Sequence, residues 1–344
     1  MSLRPILAGA TEEELRDYVA SLGLPKFRAA QLWSWIHEKY RLDPAEMGNL
    51  PAGLREKLAG DFLAPSMSVD ERFDAADAGK LRLKLHDGEH IEMALIPAGE
   101  RLTFCLSTQV GCAVRCRFCA SGAFGLKRNL RAGEIVEEFL TGIREAGRRP
   151  DNLVFMGIGE GLMNFDELSR ALTALTRDFQ FSPRRITVST SGFVPGMLKF
   201  AGLRREYNLA VSLHAPDDAT RAKLIPDNCR CPIAEILDAA DLCRRENGRD
   251  YTLEYTLIAG VNDDPEQARQ LGEIAYEHHA KVNLIPYNAT DGEFRRPPER
   301  TIRAFEAAVA ATGARVTRRV ERGGTSSAAC GQLRIDALRK KEEE

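Results

Sequence analysis

No run in this chain approaches the length and apolarity of a membrane span. The first residues, MSLRPILAGATEEELRDY, turn acidic before an apolar region of signal-peptide length can develop. A cytoplasmic protein with no membrane partner is therefore expected. Charge of one sign is also missing: 48 Lys and Arg against 50 Asp and Glu leave a formal net charge of −2 and a pI near 6.4. Nothing in that total pulls the whole molecule toward nucleic acid. Short-period repeats are absent, and the one biased tract is the charged tail 339–344, for which disorder is expected. The two tryptophans, Trp33 and Trp35, both fall in one predicted helix and read as part of a small core. The eight cysteines are too unevenly spread for a disulfide framework and suit a reducing compartment, where thiols stay available for metal or redox work.

The chain's 344 residues, 44% hydrophobic and 28% charged, suffice for two or three domains with a sizeable core. Its basic residues are clumped: Arg148-Arg149, Arg184-Arg185, Arg204-Arg205, Arg244-Arg245, Arg295-Arg296, Arg318-Arg319 and Lys127-Arg128. Each doublet alone reads as ordinary solvated surface, and only a fold that gathers several on one face would make a phosphate-binding patch.

Residues 1–65 read as helical. Thr11-Glu12-Glu13-Glu14 has the form of a capping box opening a helix through Val19, and further helices are expected over 27–36 and 54–62. Lys26, Arg28, Lys39 and Arg41 could meet phosphates there, with a solvated polar face as the plainer reading. From 67 to 97 the period becomes two: Leu81, Leu83 and Leu85 alternate, Asp87-Gly88 turns, and Ile91, Met93 and Leu95 alternate back. Glu92 falls on the opposite face from Ile91 and Met93, where a strand carboxylate ordinarily faces solvent. Beyond this hairpin, strands are expected over 102–107, 153–156, 186–190, 209–213, 251–257 and 282–286. Helices are expected over 133–146, 165–177, 194–200, 233–245, 265–279 and 300–311, with a last strand over 315–320. Six βα units predict an α/β fold, a parallel sheet curled into a partial barrel with ligands at the carboxyl ends of its strands.

The organising stretch is Cys112-Ala-Val-Arg-Cys116-Arg-Phe-Cys119, three thiols at CxxxCxxC spacing after the first barrel strand. Iron–sulfur clusters are held by cysteine thiolates, usually four. Three local ones would leave one iron of a four-iron cluster open, and an open metal position suits chemistry. The competing reading is a structural zinc site with a distant fourth ligand, although zinc sites generally show paired CxxC knuckles and no second pair follows. Small polar residues recur at successive strand ends: Gly157-Ile158-Gly159-Glu160-Gly161, Ser189-Thr190-Ser191-Gly192, Ser212-Leu213-His214 and Pro286-Tyr287-Asn288. Together they could orient a ribose, an adenine and an amino-acid carboxylate, and Glu160 could accept from an ammonium group. His214 could be catalytic or simply hydrogen-bonded at a strand end. Cys229, Cys231 and Cys243 read as structural, with metal binding by the Cys229-Arg230-Cys231 pair as the lesser alternative.

The cysteine spacing looks like that of the radical S-adenosylmethionine (SAM) superfamily. With its surroundings, the chain resembles the RlmN/Cfr family of radical SAM RNA methyltransferases along almost its whole length. The resemblance is carried by Phe104 to Cys112, Met156 to Glu160, Ser189 to Gly192, Val211-Ser212-Leu213-His214-Ala215-Pro216, Asn283 to Asn288, Ala328 to Leu333, and an N-terminal helical region with Phe27-Arg28-Ala29 and Trp35-Ile36. It implies a partial (β/α)6 radical SAM barrel over 98–338, preceded by a helical RNA-binding accessory domain over 1–65 and a short β-hairpin linker region over 66–97. It implies a [4Fe-4S] cluster on Cys112, Cys116 and Cys119, and SAM against Gly159, Glu160, Ser189, Ser212, Leu213, His214 and Asn288. Cys330 matches the cysteine that carries a methyl group as an intermediate, Cys105 its partner thiol in a disulfide, and Glu92 the proton acceptor.

The activity implied is methylation of adenine carbon 2 in 23S ribosomal RNA, at adenosine 2503, and in transfer RNA at adenosine 37. A flavodoxin- or ferredoxin-type electron donor and a monomeric state go with it. The alternatives are methylation at adenine carbon 8, a paralogue with another RNA target, or a zinc-dependent RNA-binding module without activity. Two departures bear on the target: the family's Gly-Glu-Pro-Leu-like block is here Gly159-Glu160-Gly161-Leu162, and Thr325-Ser326-Ser327 replaces an acidic stretch before Cys330.

Overall fold

The computed structural model describes residues 4–75, 77–226, 231–290, 293–319 and 331–332. Three helices come first, α1 (Glu12–Ser21), α2 (Phe27–His37) and α3 (Ala52–Asp61). Thr11 closes the expected capping box: its hydroxyl accepts from the Glu14 N–H at 3.2 Å, and the Glu14 carboxylate accepts from the Thr11 N–H at 2.7 Å. Two donors that a helix start would leave unpaired are thereby satisfied.

Four antiparallel strands follow, β1 (Met67–Asp74), β2 (Gly79–Leu85), β3 (His90–Ala98) and β4 (Arg101–Cys105), then two short ones, β5 (Gln109–Gly111) and β6 (Leu126–Asn129). The rest alternates: α4 (Ala132–Ala146), β7 (Asn152–Phe155), α5 (Phe165–Arg177), β8 (Ile186–Thr190), α6 (Val194–Ala201), β9 (Asn208–Ser212), α7 (Asp218–Ala222) and α8 (Ile233–Asn247). It ends with β10 (Thr252–Leu257), α9 (Pro265–Glu277), β11 (Lys281–Pro286), α10 (Glu299–Ala311) and β12 (Arg315–Arg318).

One ten-stranded sheet unites these elements in the order β1-β2-β3-β4-β7-β8-β9-β10-β11-β12. From β4 onward every pairing is parallel, as βα units require. This is the expected open α/β barrel, and the hairpin of 79–98 is hydrogen-bonded into it through β3 and β4.

The two faces of this sheet differ in chemistry, and that difference makes the site. Leu81, Leu83, Ile91, Met93 and Phe104 turn toward the helices and are buried. A Cβ added at Gly142 of α4 would come within 2.7 Å of both the Met93 and Phe104 side chains, so these two side chains pack directly on the helix backbone there. The interior face carries Lys80, Glu92, Cys105, Glu254 and Thr256, which are buried as well. The expectation that Glu92 faces solvent fails for this reason: its face of β3 is the inside of a barrel.

A buried carboxylate also ties the start of β1 to α4. Glu137 of α4 accepts from the Ser66 N–H at 2.9 Å and the Met67 N–H at 3.1 Å, and from the Ser66 hydroxyl. Its burial pushes the carboxyl up to about 7 despite those donors.

Candidate active site

The three cysteines lie on the loop between β5 and β6. The Cys112 N–H donates to the Gly125 carbonyl at 2.9 Å, and that of Cys119 to Cys116 at 3.2 Å. Gly111 has φ +77°, and a Cβ there would sit 1.8 Å from the Gly125 oxygen, so only glycine closes this loop. The Arg117 N–H reaches the Leu224 carbonyl, just past α7, at 3.0 Å, and Ala120 donates to Gly331 at 2.9 Å.

All three thiols line one cavity of about 140 Å³ at the carboxyl ends of the parallel strands. Of the residues expected to contact SAM, Gly159, Glu160, Ser189, Ser212, His214 and Asn288 line it too. Leu213 does not: its side chain is in the core, while its N–H donates to Val211 and Glu254 carbonyls. Gly331 lines the cavity, whereas its neighbour Cys330 lies outside the described residues, as do Cys229 and Thr325-Ser326-Ser327. Neither Cys105 nor Glu92 lines the cavity. Cys105 packs among Ala78, Ala94, Val154 and Met156, and Met156 is itself a lining residue.

Two of the lining groups are fixed by backbone N–H donors. Glu160 accepts from the Ser191 N–H at 2.6 Å and the Leu162 N–H at 3.1 Å, while burial raises its pKa. Gly159, at φ +113°, brings this loop so close to Gln109 that a Cβ would fall 2.6 Å from that side chain. His214, at φ +60°, accepts the Thr256 N–H on Nδ1 at 3.0 Å. Burial, and then the charge of Arg221, hold it down at about 3. The Thr256 N–H thereby fixes the orientation of the ring through its acceptor nitrogen. Cys243 stays structural, its thiol donating to the Met197 carbonyl at 3.3 Å.

Among the described residues, no three His, Cys, Asp or Glu side chains are grouped as one metal ion needs. A four-iron cube instead takes each thiolate at a separate corner, so three thiols spread round one cavity fit it better than they fit zinc. Burial, together with the neighbouring thiols, raises the Cys112 thiol to about 12 and Cys116 well above its ordinary value. Such thiols become thiolates when metal charge is supplied, as iron would supply it.

Four of the arginine doublets have a member in a surface ion pair. Arg184 pairs with Glu206, Arg204 with Glu246, Arg148 with Asp151 and Arg318 with Glu299. On α2, Phe27 is 55% exposed beneath the Arg28 guanidinium, and Lys39 covers Trp35.

The radical SAM superfamily model matches residues 106–271, and the ribosomal RNA large subunit methyltransferase N-terminal domain model matches 6–63. A probable dual-specificity RNA methyltransferase RlmN of Akkermansia muciniphila is 42% identical over 351 residues, covering 98% of this chain and 97% of its own. This chain belongs to the RlmN family of radical SAM methyltransferases. A probable dual-specificity RNA methyltransferase RlmN 3 of Opitutus terrae is 44% identical over 96% of this chain and 95% of its own length. The crystal structure of a radical SAM methyltransferase from Sphaerobacter thermophilus superposes with a TM-score of 0.90 at 40% identity, covering 96% of this chain and 99% of that one. The RlmN-family enzyme described here accordingly works with a [4Fe-4S] cluster and SAM.

Sequence reasoning missed part of this site. Glu254 and Thr256 line the cavity, and Lys80 lies buried in the wall beside Glu92. Strand parity could have found Glu254 and Thr256, which alternate with the core residues Leu253, Tyr255 and Leu257.

Proposed function

We propose that this enzyme methylates adenine carbon 2 in 23S ribosomal RNA at adenosine 2503 and in transfer RNA at adenosine 37, through a methyl group carried on Cys330. The relatives named as dual-specificity RNA methyltransferases support the RNA substrate, as does the N-terminal family model. The observation that carries the reading is the joining of two chemistries in one barrel: a three-thiol cavity and, beside it on the same interior wall, Cys105 and Glu92.

In this reading Cys112, Cys116 and Cys119 hold the cluster. Gly159, Glu160, Ser189, Ser212, His214, Asn288 and the Leu213 backbone orient SAM. When bound, the cluster and SAM supply a radical strong enough to take hydrogen from a methyl group. Cys330 accepts a methyl group from one SAM by displacement and presents it to the adenine, which must leave its stack to enter the barrel. The methylene carbon left on Cys330 bonds to adenine carbon 2, Glu92 receives the ring proton, and the one electron left over would pass back to the cluster. The Cys105 thiolate then attacks the Cys330 sulfur to form a disulfide, the electron pair of the broken carbon–sulfur bond stays with the methylene carbon, that carbon takes up a proton to become the methyl group, and methylated RNA departs. The helical unit 1–65, with Lys26, Phe27, Arg28, Lys39 and Arg41, holds RNA by charge and stacking. Residues 66–97 join it to the core 98–338, with 339–344 as a tail. A flavodoxin- or ferredoxin-type protein in the cytoplasm supplies electrons to a monomer.

Mass mapping of adenosine methylation in ribosomal and transfer RNA, from cells with and without the gene, tests this. The expected difference is 2-methyladenosine at both positions. Gene-dependent 8-methyladenosine, or no gene-dependent methylation of either RNA, would contradict it.

A further inference from the structure

The barrel wall carries a charge that this mechanism leaves without a task. Lys80 of β2 is fully buried, and its Nζ lies 3.4 Å from a carboxylate oxygen of Glu92 on β3, whose side chain is 3% exposed. The ammonium also stands over the Phe73 ring of β1, 4.6 Å from its centroid. In the register, Lys80 is opposite Ala94 and Ala94 is opposite Cys105, so the small Ala94 side chain separates the lysine from the thiol along one face. Two buried charges cost several kcal/mol of desolvation each before their attraction repays it, and an apolar pair would fill the space more cheaply. Packing alone does not account for this ion pair.

Among the described residues, the other cation on this stretch of β2 is engaged elsewhere. Arg82, directly across from Glu92 in the register, is held by Asp70 and Glu71 on β1. On the β4 side, Cys105 shares the interior face, and the Ser107 hydroxyl donates to the Glu92 backbone carbonyl at 2.8 Å.

We propose that Lys80 is a positioning residue for methyl transfer, holding Glu92 as a carboxylate in its proton-accepting form inside the barrel. The inference rests on the reading of Glu92 as the base. The proton passes from adenine carbon 2 to a carboxylate oxygen, and a Glu92 already protonated has no place for it. Burial favours the protonated acid, whereas a cation at this distance favours the carboxylate by roughly one to three pH units. Removing the cation should therefore raise the Glu92 pKa and move the acid limb of turnover to higher pH.

The test is single-turnover release of methylated RNA as a function of pH by the full, cluster-loaded enzyme, as wild type, Lys80→Met, Lys80→Arg and Glu92→Gln. Iron content and the methyl increment on the Cys330 peptide are followed alongside. Lys80→Met should keep its iron and its Cys330 methyl group, and its acid limb should rise by about one pH unit or more. A covalent protein–RNA species should accumulate on the acid side. Lys80→Arg should restore the limb close to wild type. If Lys80→Met fails to load its cluster, Lys80→Gln carries the same measurement. An unmoved limb in the charge-removing variant, with Glu92→Gln stalled, overturns the role of Lys80 alone. Release by Glu92→Gln at the wild-type rate overturns the reading of Glu92 itself.

Discussion

Replacing any one of Cys112, Cys116 or Cys119 with Ala should abolish SAM cleavage while leaving the protein folded. The thiols sit on a loop shaped by backbone bonds, from Cys112 to Gly125 and from Arg117 to Leu224, which an alanine would keep. They border a small apolar group of Val114, Phe118, Leu224, Ile225, Ile258 and Tyr287, separate from the main core. Losing one sulfur there should cost about 1–2 kcal/mol, within the ordinary range for single substitutions. The catalytic loss should be complete, because an iron without its thiolate leaves the cluster incomplete. Anaerobic iron and sulfide analysis, with assay of 5′-deoxyadenosine, checks both halves. A colourless wild type holding stoichiometric zinc and cleaving no SAM would defeat the assignment of these ligands.

Cys105→Ala should stall the enzyme with RNA attached. Free cysteine is among the most buried residue types, and Cys105 is 8% exposed among Ala78 and Ala94, so packing is the plain alternative. If it only packs, the alanine variant loses about 1 kcal/mol and still releases methylated RNA. If it resolves the Cys330 adduct, the variant loads its cluster, accepts the methyl group, forms the carbon bond to adenine and stops. The stalled species would run as a slow band on a denaturing gel, shortened by ribonuclease and destroyed by protease. Released product with no such band would remove Cys105 from the reaction.

The barrel and its thiol loop were legible because their signals are local. Alternating βα units, the Thr11 capping box and the CxxxCxxC spacing all act over a few residues. The interior wall was harder. Lys80, Arg82 and Lys84 alternate with Leu81, Leu83 and Leu85, a pattern that in an open sheet means one solvated face. In a curled sheet the same face turns inward, and Lys80 and Glu92 are buried at its inner end while Lys84 stays exposed. Period two cannot separate these cases, since curvature arises from the whole sheet. The pair β5 and β6, at three and four residues, is too short for periodicity, yet it frames the cysteine loop. The roles of Glu92 and Cys105 came from family resemblance, and the fold adds their burial and their shared wall.

The central claim is that the methyl group passes through Cys330 and loses a hydrogen on the way. Supplying SAM with a fully deuterated methyl group and weighing the methyladenosine product tests this most directly. Hydrogen removal from the Cys330 methyl group, followed by proton return at release, predicts a product methyl with two deuteria and one hydrogen. A product retaining all three deuteria would mean direct transfer from SAM to RNA and would contradict the account.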